Sequence, residues 1–362
     1  MDKRIILAKA GSGKTYYICN NLNPINKNLI IAYTNQNISN IVNEVSKAHD
    51  GIPNHTEIIT FHSFIYRNFI RPYELLFSEK YNCPVFRSKG VSFVVPEPAM
   101  IKGKFNSKYH KNNTIKHYYT YNCEQVFLSR MSDLVVKNKE IFLHGISYMK
   151  KFFDYFYIDE VQDFRESDWK LLEMIIQELD NVVLVGDFYQ HSVSGDNNSG
   201  IPFRVNNTLK KYKEYLTKLG LTVDELTLSK SRRCTKKVCE FVSIKTKINI
   251  EPFNMSSTSE VREISDREEL INLLKDDLVM KLLLRNSHKQ YFKAINWGNS
   301  KGDTYDAILV VLPSTHKKIF DEDFEISSEI SRNKLYVTLT RTRGDLLIVQ
   351  DEIFKEFNEK IL

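Results

Sequence analysis

The chain alternates short apolar runs with longer segments of mixed polarity. The runs cover residues 5–7, 29–33, 156–158, 182–185, 282–284, 307–311 and 346–349. Apolar and polar positions do not alternate within them, which is typical of strands buried on both faces of a parallel sheet. Residues 167–179 and 266–275 show helical patterns between such strands. This order of strands and helices predicts an α/β fold with parallel sheets.

Composition and charge narrow the class of protein. The 362 residues suffice for two domains, and 42% hydrophobic residues with 22 Phe and 19 Tyr argue against disorder across the chain. No apolar run approaches the roughly 18 residues of a membrane helix, and residues 5–9 are too few for a signal-peptide core. Five scattered cysteines predict no disulfide framework. We therefore expect a cytoplasmic protein without membrane contact, whose net charge of +6 permits binding to nucleic acid.

A phosphate-binding loop is predicted at residues 8–15, which read AKAGSGKT and directly follow the first apolar run. Its glycines would let backbone N–H groups turn towards phosphate oxygens, while the lysine reaches the β and γ phosphates and the threonine binds Mg²⁺. The strict pattern has glycine where Ala8 stands, and a glycine-rich turn that binds nothing is the alternative. The predicted binding residues are Ala10, Gly11, Ser12, Gly13, Lys14 and Thr15.

An acidic motif follows another apolar run at residues 157–163, which read YIDEVQD. Asp159, at the end of a predicted strand, would hold the Mg²⁺ that Thr15 also binds, and Glu160 would polarise an attacking water. A solvated acidic loop is the alternative, but the earlier phosphate-binding loop favours nucleotide hydrolysis. Gln162 and Asp163 make this motif more specific than a simple pair of carboxylates.

These two motifs belong to a series in a fixed order that covers nearly the whole chain. The series reads AGSGKT (10–15), IAYTN (31–35), TFHSF (60–64), DEVQD (159–163) and GDFYQ (186–190), followed by LSKSRRC (228–234), NSKGDTYD (299–306) and LYVTLTRTR (335–343), which are here called the fourth, fifth and sixth motifs. It resembles the motif series of superfamily 1 helicases of the UvrD/Rep-like branch. The resemblance implies two RecA-like domains with ATP between them, formed by residues 1–64 with 151–222 and by residues 223–362, plus an insertion subdomain at residues 65–150.

The resemblance also implies roles for individual residues. Gln190 would sense the γ-phosphate, and Arg233 and Arg341 would neutralise charge on the transferred phosphate as arginine fingers do. Together with Lys14, Asp159 and Glu160 they form the predicted catalytic set. Gly302 of the fifth motif would complete the nucleotide site, so the expected cofactors are ATP and Mg²⁺.

Contact with a nucleic-acid strand is expected from the motifs that follow the second and third strands and from the fifth motif. The candidates are Tyr33, Thr34, Asn35, Phe61, His62, Ser300 and Lys301. The expected track is single-stranded or tailed duplex DNA, followed from 3′ to 5′. Phe61 and Phe64 could instead be core aromatics, and Arg233 could belong to an exposed basic helix.

The chain departs from the family pattern in four places. No glutamine precedes the phosphate-binding loop to read adenine, and Thr304 stands where an acidic residue is usual. Residues 191–195, HSVSG, lack the aromatic pair that stacks on bases after Gln190, so that platform is missing or supplied elsewhere. Only residues 235–298 separate the fourth and fifth motifs, which predicts a reduced form without the large insertion of the second domain.

The insertion at residues 65–150 has a basic and aromatic texture that suits contact with phosphates and bases. The residues concerned are Lys102, Lys104, Lys108, His110, Lys111, Lys116 and His117 with Phe105, Tyr109, Tyr118, Tyr119 and Tyr121. A solvated surface loop is an equally good interpretation. Zinc binding by Cys83, His110, His117 and Cys123 is a weaker one, because no close cysteine pair occurs.

Two functional hypotheses follow from different classes. The first is an ATP-dependent motor that translocates along single-stranded DNA and unwinds duplexes. The second is an ATPase or sensor subunit that regulates a partner, such as a nuclease in phage defence or DNA repair, because the short chain leaves little for autonomous unwinding. RNA as the track is a further alternative.

Overall fold

All seven apolar runs form strands in the computed structural model, which describes residues 1–83, 89–120, 122–191, 200–256 and 258–358. The strands are β1 (Asp2–Leu7), β2 (Asn28–Ala32), β3 (Thr56–Thr60), β4 (Val91–Ser92), β5 (Met100–Ile101), β6 (Lys104–Phe105), β7 (Val126–Phe127), β8 (Tyr155–Ile158), β9 (Asn181–Gly186), β10 (Thr222–Asp224), β11 (Lys230–Ser231), β12 (Glu251–Pro252), β13 (Val261–Glu263), β14 (Val279–Leu283), β15 (Ala294–Asn296), β16 (Ala307–Leu312) and β17 (Leu346–Gln350).

Helices alternate with the strands along most of the chain. They are α1 (Lys14–Asn20), α2 (Asn35–His49), α3 (Phe61–Ile65), α4 (Glu74–Lys80), α5 (Met131–Val136), α6 (Lys139–Phe152), α7 (Glu166–Glu178), α8 (Gly200–Phe203), α9 (Leu209–Lys218), α10 (Lys236–Thr246), α11 (Arg267–Lys275), α12 (Glu329–Leu339) and α13 (Asp351–Asn358). The predicted helices at residues 167–179 and 266–275 are confirmed as α7 and α11. None of the helices in the described part of the chain is both long and apolar enough to cross a membrane.

The chain divides into two units that are not continuous in sequence. The first comprises Met1–Arg4, Ile18–Leu184 and Gly200–Thr222. The second comprises Ile5–Tyr17, Val185–Ser199 and Val223–Leu362. The phosphate-binding loop and the GDFYQ segment are therefore in the same unit as the last three motifs.

The larger of the two main sheets has the strand order β10-β1-β9-β8-β2-β3. Strand β2 pairs in parallel with β3 and β8, and β8 pairs in parallel with β9. All five residues of β2 are buried. Burial on both faces explains why this strand contains Leu-Ile-Ile-Ala without polar alternation.

The second main sheet has the order β13-β17-β16-β14-β15, and all its pairings are parallel. Successive residues of its strands enter two different cores. Ile308 and Val310 of β16 pack in one core with residues of α10 and α12, whereas Leu309 and Val311 pack in the other with residues of α11 and α13. Helices thus cover both faces, and the predicted α/β fold with parallel sheets is confirmed.

The chain between the fourth and fifth motifs contains no accessory subdomain within its described residues. It forms α10, β12, β13, α11, β14 and β15. Strands β13, β14 and β15 belong to the second sheet, and α10 and α11 contribute side chains to its two cores. Every long element of this segment is thus part of the sheet or of its helical cover.

The predicted insertion at residues 65–150 separates into buried and exposed parts. A π-helical segment, Tyr66–Ile70, leads into it, and α5 and α6 close it. Tyr118 and Tyr119 are fully buried, whereas the lysines of the basic stretch are exposed. Some of the aromatic residues in this stretch therefore pack inside the protein, while the lysines between them face solvent. Tyr121 lies outside the described residues, as do residues 192–195 of the segment HSVSG.

Gly145 allows α6 to approach the π-helical segment closely. A Cβ atom at this position would lie 2.4 Å from Cδ1 of Phe69, and the ring of Phe69 is itself stacked on Phe142 at 5.9 Å between centroids. We expect Gly145→Ala to lower the free energy of unfolding by about 1–3 kcal/mol through overpacking. Chemical denaturation followed by circular dichroism measures this change.

Ser147→Ala is the matched control, because it introduces the same side chain at an exposed position of the same helix. Alanine has a higher helix propensity than either serine or glycine, and its advantage over glycine is the larger of the two. Without a steric cost, Gly145→Ala would be more stable than Ser147→Ala by the difference in helix propensity, and that result would contradict the expected overpacking.

Candidate nucleotide site and nucleic-acid groove

The predicted phosphate-binding loop connects β1 to α1 and is built on two glycines with left-handed backbone. Gly11 has φ +69° and Gly13 has φ +91°. Residues with a Cβ rarely adopt such angles, so these positions explain the glycines of the motif. The N–H of Ser12 donates to the carbonyl of Lys9 at 3.2 Å, and that of Tyr17 donates to Gly13 at 2.8 Å. The loop thus turns sharply before the helix begins.

Arginines of the fourth motif lie against both glycines. A Cβ atom on Gly11 would be 2.5 Å from Cβ of Arg233, and one on Gly13 would be 3.5 Å from Cδ of Arg232. The backbone N–H of Arg232 also donates to the carbonyl of Gly11 at 2.8 Å. The structure therefore brings the predicted Arg233 to the predicted loop, half-buried and ahead of α10 instead of within an exposed basic helix.

Arg232 is a site residue that the sequence analysis did not select. Its guanidinium lies 4.2 Å from the ring centroid of Phe253 and 6.0 Å from that of Tyr16. The adjacent arginines in LSKSRRC were a sequence signal for a second site residue. Sequence alone does not show that both side chains lie against the predicted phosphate-binding loop. A guanidinium beside phosphate-binding glycines suits recognition of a phosphate.

The loop fits the triphosphate that the sequence predicts. Ser12 is 1% exposed, and its hydroxyl oxygen has no hydrogen-bond partner in the described part of the chain. Lys14, the predicted phosphate ligand, is also buried. A buried hydroxyl and a buried ammonium beside left-handed glycines are the donors that phosphate oxygens require.

A buried carboxylate connects this loop to the GDFYQ segment and to α12. The hydroxyl of Tyr336 accepts the N–H of Ala10 at 2.8 Å and donates to Oδ2 of Asp187 at 3.1 Å. The amide of Gln190 donates to the same oxygen at 2.8 Å, and the N–H of Tyr189 donates to Oδ1 at 3.0 Å. The side chain of the predicted sensor Gln190 is therefore fixed by Asp187.

Burial raises the pKa of Asp187 above its ordinary value, because the carboxylate is removed from water. The positive charges of Lys14 and Lys9 and the donors on Gln190 and Tyr189 act in the opposite direction. Burial also lowers the pKa of Lys9, whose ammonium lies 5.0 Å from the ring centroid of Tyr189. The predicted catalytic lysine and the sensor segment thus share one electrostatic environment.

Arg341, the second predicted finger, is 1% exposed and bonds to backbone carbonyls. Its Nε donates to Val337 at 2.7 Å, and its Nη1 donates to Ser300 at 3.5 Å and to Asp303 at 3.4 Å. Nη1 of Arg233 donates to the carbonyl of Thr340, the residue before Arg341, at 3.0 Å. The fourth, fifth and sixth motifs therefore meet around these two arginines.

The residues of the fifth motif differ in exposure. Ser300 is fully buried and donates to the carbonyl of Trp297 at 2.7 Å, so its side chain supports the turn instead of facing a ligand. Lys301 is partly exposed, and Gly302 is exposed with φ +94°. No atom lies within 4 Å of a Cβ built on Gly302.

The acidic motif lies in the first unit, at the end of β8. The N–H of Asp159 donates to the carbonyl of Ile31 at 3.0 Å, and its carboxylate, on a side chain 1% exposed, accepts the N–H of Glu160 at 2.9 Å. Glu160 has φ +55°, a left-handed conformation that is uncommon outside glycine and clusters at functional sites. The amide of Gln162 donates to the Glu160 carboxylate.

The structure thus groups the predicted site residues in two sets. Lys14, Thr15, Gln190, Arg233 and Arg341 belong to the second unit, whereas Asp159 and Glu160 belong to the first. The predicted Mg²⁺ site needs Thr15 and Asp159 together, and it stays a prediction.

A groove of about 510 Å³ in the first unit contains four of the predicted nucleic-acid contacts. It is lined by Tyr33, Thr34, Asn35, Thr60, His62, Ser63, Tyr66, Arg67, Val91, Phe93 and Leu128. Most of its polar residues come from the ends of β2 and β3, and most of its apolar residues come from the insertion. None of the insertion residues in this lining belongs to a sequence motif.

Tyr33 and His62 are held in this groove by Asp168 and by aromatic packing. The Tyr33 hydroxyl donates to Oδ2 of Asp168 at 2.9 Å, and the Ser132 hydroxyl of α5 donates to the other oxygen. The rings of Tyr33 and His62 meet edge to face at 5.1 Å. Burial lowers the pKa of His62, and the charge of Asp168 acts in the opposite direction.

Phe61 and Phe64 belong to the core instead of the groove surface. Both are fully buried and stack on one another at 6.2 Å, and Phe61 also packs edge to face on Phe164 at 4.6 Å. Phe61 is therefore a core aromatic residue, which is the alternative that the sequence left open.

The cysteines and histidines of the insertion do not form a metal centre in the described part of the chain, where no group of three metal-ligating side chains occurs. The sulfur atoms of Cys83 and Cys123 lie 4.0 Å apart. Nδ1 of His117 is bonded to the carbonyl of His110 at 2.6 Å. Cys234 and Cys239 are buried thiols.

The β1–loop–α1 unit and the parallel sheets define an α/β protein with a phosphate-binding loop. A family model described as an AAA domain matches residues 2–196, more than half of the chain. The chain belongs to this AAA domain family. The matched part includes the predicted phosphate-binding loop, the acidic motif and the GDFYQ segment.

Solved structures with a similar fold include viral helicases. The PRRSV helicase is 14% identical with a TM-score of 0.46, over 96% of this chain and 52% of that one. The arterivirus nonstructural protein 10 (helicase) in complex with DNA is 12% identical with a TM-score of 0.46, over 96% and 60%. The chain thus spans between about half and three-fifths of these proteins. No curated protein matches it.

Removal of the Tyr336 hydroxyl tests the buried network. We expect Tyr336→Phe to lower the free energy of unfolding by about 1–3 kcal/mol, because Ala10 loses its acceptor and Asp187 loses a donor in a site without water access. Urea denaturation measures the change. Tyr148→Phe, which removes a hydroxyl from a half-exposed ring of α6, is the control. Equal midpoints for the two variants would show that the network does not stabilise the fold.

The lowered pKa of His62 predicts a pH-dependent stability. Below the unfolded value of 6.5 the unfolded chain binds a proton that the folded groove does not, so the contribution of the neutral imidazole is present above pH 6.5 and is lost as the pH falls. We expect the free energy of unfolding to fall by up to about 1.4 kcal/mol per pH unit from this group. His62→Gln should flatten that decline, and an unchanged slope would contradict the assignment.

Proposed function

We propose that the protein is an ATP-dependent motor of the UvrD/Rep-like type that translocates along single-stranded DNA. The observation that carries the proposal is the position of Arg233 and Arg232 against the two left-handed glycines of the phosphate-binding loop. Donors from the loop and from a distant motif converge there, as a nucleoside triphosphatase requires. Family membership supports the helicase class, while DNA as the track and 3′ to 5′ movement rest on the motif resemblance.

Different residues would bind the phosphates, hold the metal ion and transfer the proton during hydrolysis. Gly11, Ser12 and Gly13 would present donors to phosphate oxygens, and Lys14 would neutralise their charge. Thr15 and Asp159 would hold Mg²⁺, which supplies a positive charge on the β and γ phosphates.

Glu160 would orient the attacking water and accept its proton. Gln190, held by Asp187, would contact the γ-phosphate, and Arg233 would stabilise charge on the transferred group. Arg341, buried among carbonyls of the fifth motif, would act with Arg233.

The predicted domains are part of this proposal. We take residues 1–64 with 151–222 and residues 223–362 as two RecA-like domains, with residues 65–150 as the insertion of the first. The described residues between α10 and β15 form no accessory subdomain, which supports a reduced motor. The groove that contains Tyr33, Thr34, Asn35 and His62 is the proposed contact with the strand, and Lys301 is a further candidate.

ATP hydrolysis by the Glu160→Gln variant tests the catalytic assignment. We expect the DNA-stimulated rate to fall by about 10²- to 10⁴-fold, which is the typical contribution of a general base. Binding of ATP should persist, because the phosphate donors are unchanged. Steady-state phosphate release on single-stranded DNA, RNA and tailed duplexes measures the rate and the preferred track.

Glu140→Gln is the matched control, since it removes the same charge from an exposed position of α6. Its rate should equal that of the wild type. A Glu160→Gln protein that hydrolyses ATP at the wild-type rate would exclude Glu160 as the catalytic base.

A partnered ATPase is the second candidate, favoured by the same absence of an accessory subdomain. A protein without that subdomain would need help to separate a duplex. Hydrolysis stimulated by single-stranded DNA without strand displacement, and displacement restored by a co-purifying nuclease or other protein, would favour this function over an autonomous helicase.

A further inference from the structure

We propose that Phe93 of the insertion is the ring on which a base of the bound strand stacks in the groove lined by Tyr33 and His62. The inference rests on the proposed function, because it assigns a base-binding subsite to the proposed strand contact. It answers the question that the sequence raised, namely what replaces the aromatic pair missing after Gln190. The chemical class of the ligand is an unpaired nucleotide.

The lining of the groove combines the two kinds of surface that a nucleotide needs. Thr34, Asn35, Thr60 and Ser63 contribute hydroxyl and amide groups to it. Val91, Phe93, Leu128 and Tyr66 contribute apolar and aromatic surface. Hydrogen-bonding groups suit a sugar-phosphate backbone, and rings suit base faces.

Phe93 is available to a ligand to an unusual degree. Its side chain is 83% exposed, although a phenylalanine normally gains by burial. Val94 and Val95 beside it are also exposed, and contiguous exposed apolar surface marks binding sites more often than a single exposed residue does. The ring is therefore free to accept a planar partner.

The backbone around Phe93 is ordered by hydrogen bonds. Strand β4 ends at Ser92, one residue earlier, and pairs in parallel with β7. Ser92 is buried, and its hydroxyl accepts the N–H of Val94 at 3.3 Å. Since both neighbours are fixed, a base could stack on Phe93 without first ordering a loop, which keeps the entropy cost of binding low.

The segment after Gln190 offers no such ring. Residues 191–199 read HSVSGDNNS and contain no Phe, Tyr or Trp. His191 is buried, and its Nδ1 is bonded to the carbonyl of Phe188. Phe93, in contrast, is an exposed ring that lines the same groove as Tyr33 and His62.

The size of the groove suits one nucleotide unit. Its volume of about 510 Å³ lies within the range of roughly 300–1,000 Å³ that ligand sites occupy. Arg67 at the rim is paired with Glu57 at 2.7 Å, so the groove itself adds little free positive charge. We therefore expect stacking at Phe93 to contribute affinity that does not depend on salt.

Binding of a fluorescein-labelled single-stranded DNA oligonucleotide, followed by anisotropy, tests the assignment. Phe93→Ala should weaken binding by between about 5-fold and 150-fold, the range that loss of one base–aromatic stack produces. Phe93→Trp should restore it. The slope of log affinity against log salt should stay as in the wild type, because no phosphate contact is removed. A base analogue whose fluorescence is quenched by stacking should lose that quenching in Phe93→Ala.

Phe152→Ala is the control, since Phe152 is a half-exposed phenylalanine of α6 outside the groove. It should bind as the wild type does. If the wild type binds the oligonucleotide and Phe93→Ala binds it with the same affinity, the subsite is wrong and the proposed function is unaffected. Failure of the wild type to bind either DNA or RNA of the same sequence would overturn both.

Discussion

The buried carboxylate of Asp187 holds together three segments that are far apart in sequence. It accepts hydrogen bonds from Gln190 in its own segment and from Tyr336 on α12, and Tyr336 in turn receives the N–H of Ala10. A carboxylate without water contact is costly unless donors surround it. Its burial is tolerable only while the predicted phosphate-binding loop, the GDFYQ segment and α12 keep these positions, so one carboxylate links the predicted nucleotide site to the last motif.

The fold was largely predictable because its strands are buried on both faces. Uninterrupted apolar runs arise only when helices cover a parallel sheet on each side, and β16 shows this directly, with Ile308 and Leu309 entering different cores. The backbone turn of the predicted phosphate-binding loop was equally predictable, since Gly11 and Gly13 have backbone conformations that other residues avoid. In both cases a local structural requirement restricts which residue types can occupy the position.

Side-chain direction was not predictable in the same way. Phe61 and His62 are neighbours in one motif, yet Phe61 is in the core and His62 lines the groove. Ser300 is buried under its own turn, and Arg232 faces the loop although only Arg233 was selected. These outcomes depend on packing between elements distant in sequence. The apolar lining of the groove is the clearest case, because the insertion that supplies most of it has no regular hydrophobic period.

The attachment of the insertion suggests how this part of the molecule can change through evolution. Asp168 binds Tyr33 with one oxygen and Ser132 with the other, so the segment after β2 and α5 share an anchor. Strands β5 and β6, in contrast, form a two-stranded sheet of their own with an exposed phenylalanine and exposed lysines. Sequence drift should therefore be tolerated in that hairpin, whereas the roots of the insertion should vary little. The hairpin is the natural place for related chains to diverge in length and to acquire new surfaces.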